Sequence, residues 1–257
     1  MIISSRDNPK IKRTVLLASS SNERRKTGLF VIDGLRLCRD AALNGYSVRE
    51  LFYTERFCSE HREDCDILLS SAQSAFCVSD DVMKKLSDTV SPQGCICVCD
   101  IPAVNELSLC EKGRYVVLED ISDPGNLGTV CRTAEAFSVD AVIISGGCDP
   151  FSQKALRASM GALLRLPVIR CEAQKAILHM NDLSIKTYAA VVSDFDGTID
   201  KCDMSPGCAV VIGNEANGLK NETARLCYKR ITIPMSGKAE SLNAAAAATI
   251  LIWEMMK

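Results

Sequence analysis

The C-terminal half of this 257-residue chain is built from continuous apolar runs, each closed by glycine and polar residues. Tyr115-Val-Val-Leu-Glu119, Ala141-Val-Ile-Ile-Ser145 and Ala209-Val-Val-Ile212 show no alternation of apolar and polar positions. Strands buried on both faces read this way, and they belong to parallel sheets covered by helices. Further strands are expected at Val168-Ile169, Tyr188 to Val192 and Ile231 to Ile233. Helices are expected from about Asn126 to Phe137, over 152–160, and from about Ser241 to Met256. Sheets of this class bind ligands beyond the carboxyl ends of their strands. Three segments lie there: Pro124-Gly-Asn-Leu-Gly-Thr-Val-Cys-Arg132, Gly213-Asn-Glu-Ala-Asn-Gly218, and Ile233-Pro-Met-Ser-Gly237 through Glu240-Ser-Leu-Asn243.

The N-terminal half alternates more weakly. A helix over residues 9–19, a strand at Leu29 to Ile32, a helix from Leu35 to Leu43, strands at Leu51 to Tyr53 and Ala75 to Val78, a helix from Asp80 to about Asp88 and a strand from Cys95 to Cys99 describe a small α/β domain. Ile101-Pro-Ala-Val-Asn-Glu-Leu-Ser has no periodicity and reads as a linker. The organisation expected is a domain over 1–100, a linker over 101–112 and a second domain over 113–257. No apolar run reaches the roughly 18 residues of a membrane helix, and the first residues carry no signal-peptide pattern, so a soluble cytoplasmic protein is expected.

Net charge is −2, yet residues 1–27 hold seven cations against Asp7 and Glu23. A basic patch of that kind binds nucleic acid, although a solvated helix face and a charged turn would read the same way. The 14 cysteines are scattered without a Cys-x-x-Cys pair. Cys95, Cys97 and Cys99 would share one face of a strand. Small buried thiols in a reducing compartment are expected there, in preference to a metal or redox cluster, and no metal is expected in the protein.

Taken singly, the residues of the three loops have ordinary structural readings. Asn126 or Ser241 would cap a helix. Arg132 would pair with Glu135 one turn along. Glu215 would favour a helix start or hold a cation such as Arg132. The loop from Ser122 to Gly128 lacks Gly-x-Gly-x-x-Gly, so a Rossmann dinucleotide site is not supported.

Taken together, in order and at their spacing, these segments resemble the SpoU (TrmH-like) RNA ribose 2′-O-methyltransferases of the SPOUT superfamily. Asn126, Gly128 and Arg132 match the first motif of that family. Gly213, Glu215, Gly218 and Leu219 match the second. Ile233, Pro234, Met235, Gly237, Ser241, Leu242 and Asn243 match the third. Asn8-Pro-x-Ile-Lys12, Phe30 through Gly34 and Ser91-Pro-Gln-Gly94 resemble the family's substrate-binding extension. Asp33 stands where relatives commonly carry glutamate, and Ala244-Ala245 replaces the usual Val-Ser.

The resemblance implies an α/β protein. Its C-terminal domain would be a trefoil-knotted methyltransferase domain with a parallel sheet, preceded by a small ribosomal-protein-like RNA-binding domain. It implies S-adenosylmethionine as methyl donor, held by the backbone at Gly213, Ile233 and Leu242 with Met235 nearby, in a homodimer. Asn126, Arg132, Glu215, Ser241 and Asn243 would form the catalytic set. An arginine is a poor base, its pKa exceeding about 12, so Arg132 is expected to position phosphate, with Asn126, Ser241 and Asn243 orienting it and Glu215 fixing the network. Arg24, Arg25 and Lys26, extended by Lys154 and Arg157 on the catalytic domain, are expected to contact RNA. Ribosomal RNA of the large subunit is the expected substrate, with transfer RNA as the alternative. Two rivals remain: a non-catalytic RNA-binding or assembly protein, and a phosphatase of the haloacid-dehalogenase type built on Asp194-Phe-Asp-Gly-Thr198.

Overall fold

A computed structural model describes residues 2–103, 108–205 and 207–257, so linker positions 104–107 lie outside the described residues. The chain divides into two compact units. One comprises Met1–Ala103 with Asp149–Leu164, the other Val104–Cys148 with Arg165–Lys257.

In the first unit, α1 (Pro9–Ser19) starts where Asn8 accepts the N–H of Lys10 and Pro9 fills the first helical position. The segment expected as a charged turn is a helix, α2 (Ser21–Thr27), because Ser20 caps it and Gly28, at φ 67°, closes it. Then follow β1 (Leu29–Asp33), α3 (Leu35–Leu43), β2 (Val48–Tyr53), α4 (Glu55–Glu60), α5 (Arg62–Ser71), β3 (Ala72–Cys77), α6 (Asp80–Leu86) and β4 (Cys95–Asp100). The sheet order is β1-β4-β2-β3, antiparallel except between β2 and β3. Ile96 and Val98 face one core with Ile11, Leu17 and Phe52. Cys95, Cys97 and Cys99 are all fully buried, and burial pushes the Cys99 thiol upward. Reduced thiols do not hold throughout: Cys58 and Cys65, on the consecutive helices α4 and α5, are joined as a disulfide with Cα atoms 5.3 Å apart.

The second unit contains β5 (Arg114–Glu119), α7 (Pro124–Ala136) and β6 (Ala141–Ser145). After β6 the chain contributes α8 (Gln153–Ala158) to the first unit. There Gln153 donates to the carbonyl of Val31 at 2.9 Å, and Phe151 packs on Phe30 with ring centroids 4.7 Å apart. Lys154 and Arg157, expected on the catalytic domain, lie in this stretch that packs with the first unit. The second unit resumes with β7 (Val168–Arg170), α9 (Ala173–Asp182), β8 (Lys186–Ala190), β9 (Gly197–Thr198), β10 (Cys208–Ile212), α10 (Asn221–Leu226), β11 (Lys229–Thr232) and α11 (Ala244–Met255).

These strands form one parallel sheet in the order β7-β6-β5-β10-β8-β11-β9. Tyr115, Val117, Ile143, Ala209 and Val211 pack with Ala176, Ile177 and Met180 of α9. The intervening Val116, Val142 and Val210 are equally buried, and α7 and α11 pack on each other and on β6 and β10. Burial of both faces is the physical reason for the unbroken apolar runs. All strands point the same way, so the loops after β5, β8, β10 and β11 emerge at one edge.

Among the described residues, no helix is long and apolar enough to cross a membrane, and no group of three or more His, Cys, Asp or Glu could hold a metal ion.

Candidate active site

At that edge, the ends of β8, β10 and β11 and the start of α11 enclose a cavity of about 320 Å³. Its walls include Val191, Ile212, Ile231, Ile233, Leu242 and Leu251, with Gly213, Asn214, Met235 and Ser241 among them. Apolar walls with a few convergent polar groups are the usual makeup of a small-molecule site, and roughly 300–1,000 Å³ is its usual size. Gly213 has a steric reason to be glycine: a Cβ there would collide with the backbone of Gly218 and Leu219. The turn after it closes by backbone hydrogen bonds between Asn214 and Gly218 of 3.1 and 2.9 Å, with Gly218 at φ 67°.

Beside this cavity, three loops are tied by one chain of hydrogen bonds. The Glu215 carboxylate accepts from the N–H and hydroxyl of Ser122 at 3.0 and 2.7 Å, from the N–H of Asp123 at 3.1 Å, and from Nδ2 of Asn126 at 2.8 Å. Oδ1 of Asn126 accepts from Nδ2 of Asn243 at 3.0 Å. Oδ1 of Asn243 accepts the N–H groups of Ala245 and Ala246 at 2.9 and 3.3 Å, which caps α11. Partial burial raises the Glu215 pKa, but the hydrogen bonds from Asn126 and Ser122 outweigh it and bring the group to about 2. At neutral pH this residue is a fixed carboxylate acceptor, not a proton carrier.

The structure thus brings Asn126, Glu215 and Asn243 together and lines the cavity with Gly213, Ile233, Met235, Ser241 and Leu242. It does not bring Arg132 to Glu215 or Asn126. Arg132 is exposed on α7 and makes no hydrogen bond or ion pair among the described residues. The pairing of Arg132 with Glu135 is also absent, since Glu135 holds Arg165 at 2.8 Å. Ser241 does not cap α11. Residues 241–243 stay outside the helix and Asn243 takes the cap. Asn126 does not cap α7 either, because Asp123 does, accepting from Gly125 and Asn126 ahead of Pro124 at the first turn. The Asp-Pro pair carried that signal in the sequence. Sequence reasoning also missed Ser122 and Asn214, which lie beside the residues it singled out.

Of the expected RNA contacts, Arg24 is only 3% exposed. Its guanidinium bonds Asp149 at 2.7 Å and the carbonyls of Leu17 and Ala18 at 2.6 and 3.0 Å. A side chain so buried holds its own unit together and offers no face to phosphate, which corrects that assignment. Arg25 is exposed, bonded to Asn22 and the carbonyl of Ser21. Lys26 and Lys154 are exposed. Arg157 pairs with Asp88 at 2.8 Å. The phosphatase reading fails at Asp196, whose carboxylate takes the N–H and guanidinium of Arg230 at distances of 2.8–3.3 Å and so has a structural role at the entry to β9.

Residues 113–253 match the SpoU rRNA Methylase family. The chain belongs to that family. Residues 8–97 match the MRM3-like substrate binding domain. The 23S rRNA (guanosine(2553)-2′-O)-methyltransferase RlmP of Bacillus subtilis (strain 168) is 30% identical over 98% of both chains. The 23S rRNA (uridine(2479)-2′-O)-methyltransferase of Streptomyces viridochromogenes is 28% identical, over 97% of this chain and 90% of its own. Among solved structures, the AdoMet-bound rRNA methyltransferase from Sinorhizobium meliloti superposes with a TM-score of 0.88 at 27% identity, covering 99% of this chain and 97% of its own. The likeness spans both units, so this SpoU-family chain pairs a substrate-binding domain with a methylase domain.

Proposed function

We propose that this chain methylates a ribose 2′-hydroxyl of 23S-type ribosomal RNA, using S-adenosylmethionine. The observation that carries the reading is the adjacency of the cavity to the chain Ser122–Glu215–Asn126–Asn243, built from the three motif loops. The cavity fits the donor: flat apolar walls from Ile212, Ile231, Ile233 and Leu242 suit a purine, and the glycine-bounded turn 213–218 exposes backbone groups for its edge. The bound donor supplies an already activated methyl group on a sulfonium. The protein must therefore align the attacking oxygen and help remove its proton.

Arg132 supplies the cation for that task. Its permanent charge suits a substrate phosphate, which can itself receive the hydroxyl proton. Asn126 and Asn243 act on each other and on the loops, so their work is to hold the three segments in register. Ser241, facing the cavity, is free of the capping duty that sequence assigned to it.

A homodimer completes this proposal. The exposed stripe Thr129, Arg132 and Ala136 of α7 runs beside Thr133, whose hydroxyl meets Thr249 of α11 at 3.3 Å. Trp253, 52% exposed, stacks edge-on with Phe137, and Ile250 is 37% exposed. A second copy over this face would cover the aromatic pair and bring Arg132 to a neighbouring site. The order β5-β10-β8-β11 is compatible with the trefoil threading that the family resemblance implies. Lys26, Arg25 and Lys154 remain the proposed phosphate contacts.

The deciding experiment maps ribose methylation across the RNA of cells with and without the gene. Loss of one 23S site, restored by the wild-type gene, is expected. No lost site would overturn the reading in favour of a non-catalytic RNA-binding protein.

A further inference from the structure

Hydrophobic burial does little to fix the turn after Gly213: residues 214–218 are half-buried or exposed, and only Leu219 beyond them packs against the core. The turn is fixed instead from behind, by two consecutive carboxylates at the end of β5. Glu119 is 3% exposed. One of its oxygens accepts the backbone N–H of Lys220 at 2.9 Å and the other the hydroxyl of Thr223 at 2.6 Å. The next residue, Asp120, takes the left-handed conformation at φ 54°, which a non-glycine residue keeps only when its surroundings enforce it. The surroundings here are Lys220, whose ammonium meets the Asp120 carboxylate at 2.6 Å, and Asn214, whose Nδ2 donates to the Asp120 carbonyl at 2.8 Å. Asn214 in turn folds the loop, accepting the N–H groups of Ala216 and Asn217 at 3.0 and 3.1 Å. One dipeptide therefore grips the loop at its entry, residue 214, and at its exit, residue 220. Glu119, Asp120, Lys220 and Thr223 are not among the residues lining the cavity.

We infer that Glu119 and Lys220 are positioning residues for the cofactor: they hold the 213–218 backbone in its ligand-ready shape before the ligand arrives. Binding then bears less of the ordering cost of an exposed, glycine-bounded turn. The inference rests on the proposed assignment of the cavity to S-adenosylmethionine.

The test is calorimetric titration of the purified full-length chain with S-adenosylhomocysteine, alongside thermal unfolding of the ligand-free protein. Glu119→Ala orphans two donors, and binding at least about tenfold weaker is expected. Glu119→Gln restores both bonds, its oxygen accepting from Lys220 and its NH2 donating to Thr223, so affinity within about threefold of wild type is expected. Lys220→Met removes only the surface ion pair to Asp120, and binding about threefold weaker at unchanged Tm is expected. Equal weakening by Glu119→Gln and Glu119→Ala would overturn the hydrogen-bond clamp, as would wild-type affinity in Lys220→Met. If Glu119→Ala does not fold, the other two variants decide. A wild-type protein that does not bind S-adenosylhomocysteine would overturn the cofactor reading itself, whereas wild-type binding matched by all three variants would overturn only the clamp.

Discussion

The two units use their polar residues in different ways. In the first, cations of the N-terminal segment are neutralised by local carboxylates: Lys10 and Arg13 share Glu50 at 3.3 and 2.5 Å, Lys12 meets Asp7 at 2.9 Å, and Arg24 meets Asp149 at 2.7 Å. In the second, polar side chains from three loops are joined into one network, and the single cation of the motif set, Arg132, is left outside it. A basic sequence cluster thus overstated the free charge of the first unit. Of the motif residues of the second unit, Asn126, Glu215 and Asn243 are joined directly by hydrogen bonds, whereas Arg132 stands apart from them.

The largest effect expected from breaking this contrast lies at Arg24. Removing one partner of a buried ion pair costs about 3–5 kcal/mol, so Arg24→Ala should lower the unfolding midpoint strongly. Lys26→Ala should leave stability alone and weaken RNA binding, with a shallower salt dependence. Urea titration and filter binding at two salt concentrations separate the two. Weaker RNA binding without any stability loss in Arg24→Ala would restore it as a phosphate contact.

Arg132→Ala should come next. An exposed residue with no partner among the described residues has no stability role, so Tm should not move. Methylation of the mapped site should fall on the order of 10²–10³-fold, as when a preorganised charge or donor is removed. Near-normal methylation would leave this family motif without its electrostatic element.

Asn243→Ala tests the network itself. It removes the cap of α11, worth about 0.5–2 kcal/mol, together with the bond to Asn126. A loss of stability and of cofactor affinity in the same variant is expected by thermal unfolding and calorimetry. Asn243→Ser, which keeps a cap but cannot reach Asn126 in the same way, should recover the first more than the second.

Much of this was legible in the sequence because it follows from periodicity. The continuous runs of β5, β6 and β10 marked buried parallel strands, and the order of Asn126, Glu215 and Asn243 marked three loops at one edge. What escaped was everything decided by tertiary partners. Arg24 and Lys26 differ by two positions on one short helix, yet one faces Asp149 and the other faces water. Asp149 to Leu164 follow β6 in sequence, yet they pack with the first unit through Phe151 on Phe30, Gln153 on Val31 and Asp149 on Arg24. Glu119 read as the polar end of an apolar run. Its partners, Lys220 and Thr223, lie about a hundred residues away and leave no local trace.

The smallest effect is a pH dependence at Glu215. Its ordinary pKa of 4.5 falls to about 2 in the folded protein, because hydrogen bonds from Asn126 and Ser122 outweigh the opposing effect of burial. A depressed folded-state value favours the native state above the unfolded pKa, and the advantage is lost as protons bind between about 4.5 and 2. The side chain is exposed, so solvent screens much of the effect. Glu215→Gln keeps one acceptor oxygen but not the charge. The urea midpoint of the wild type should exceed that of the variant by a constant margin from pH 7 down to about 5, and that margin should shrink steadily toward pH 2.5. A margin independent of pH would mean that the loops recognise the shape of the side chain and not its charge, and the network of the second unit would then differ from the ion pairs of the first in not depending on charge at all.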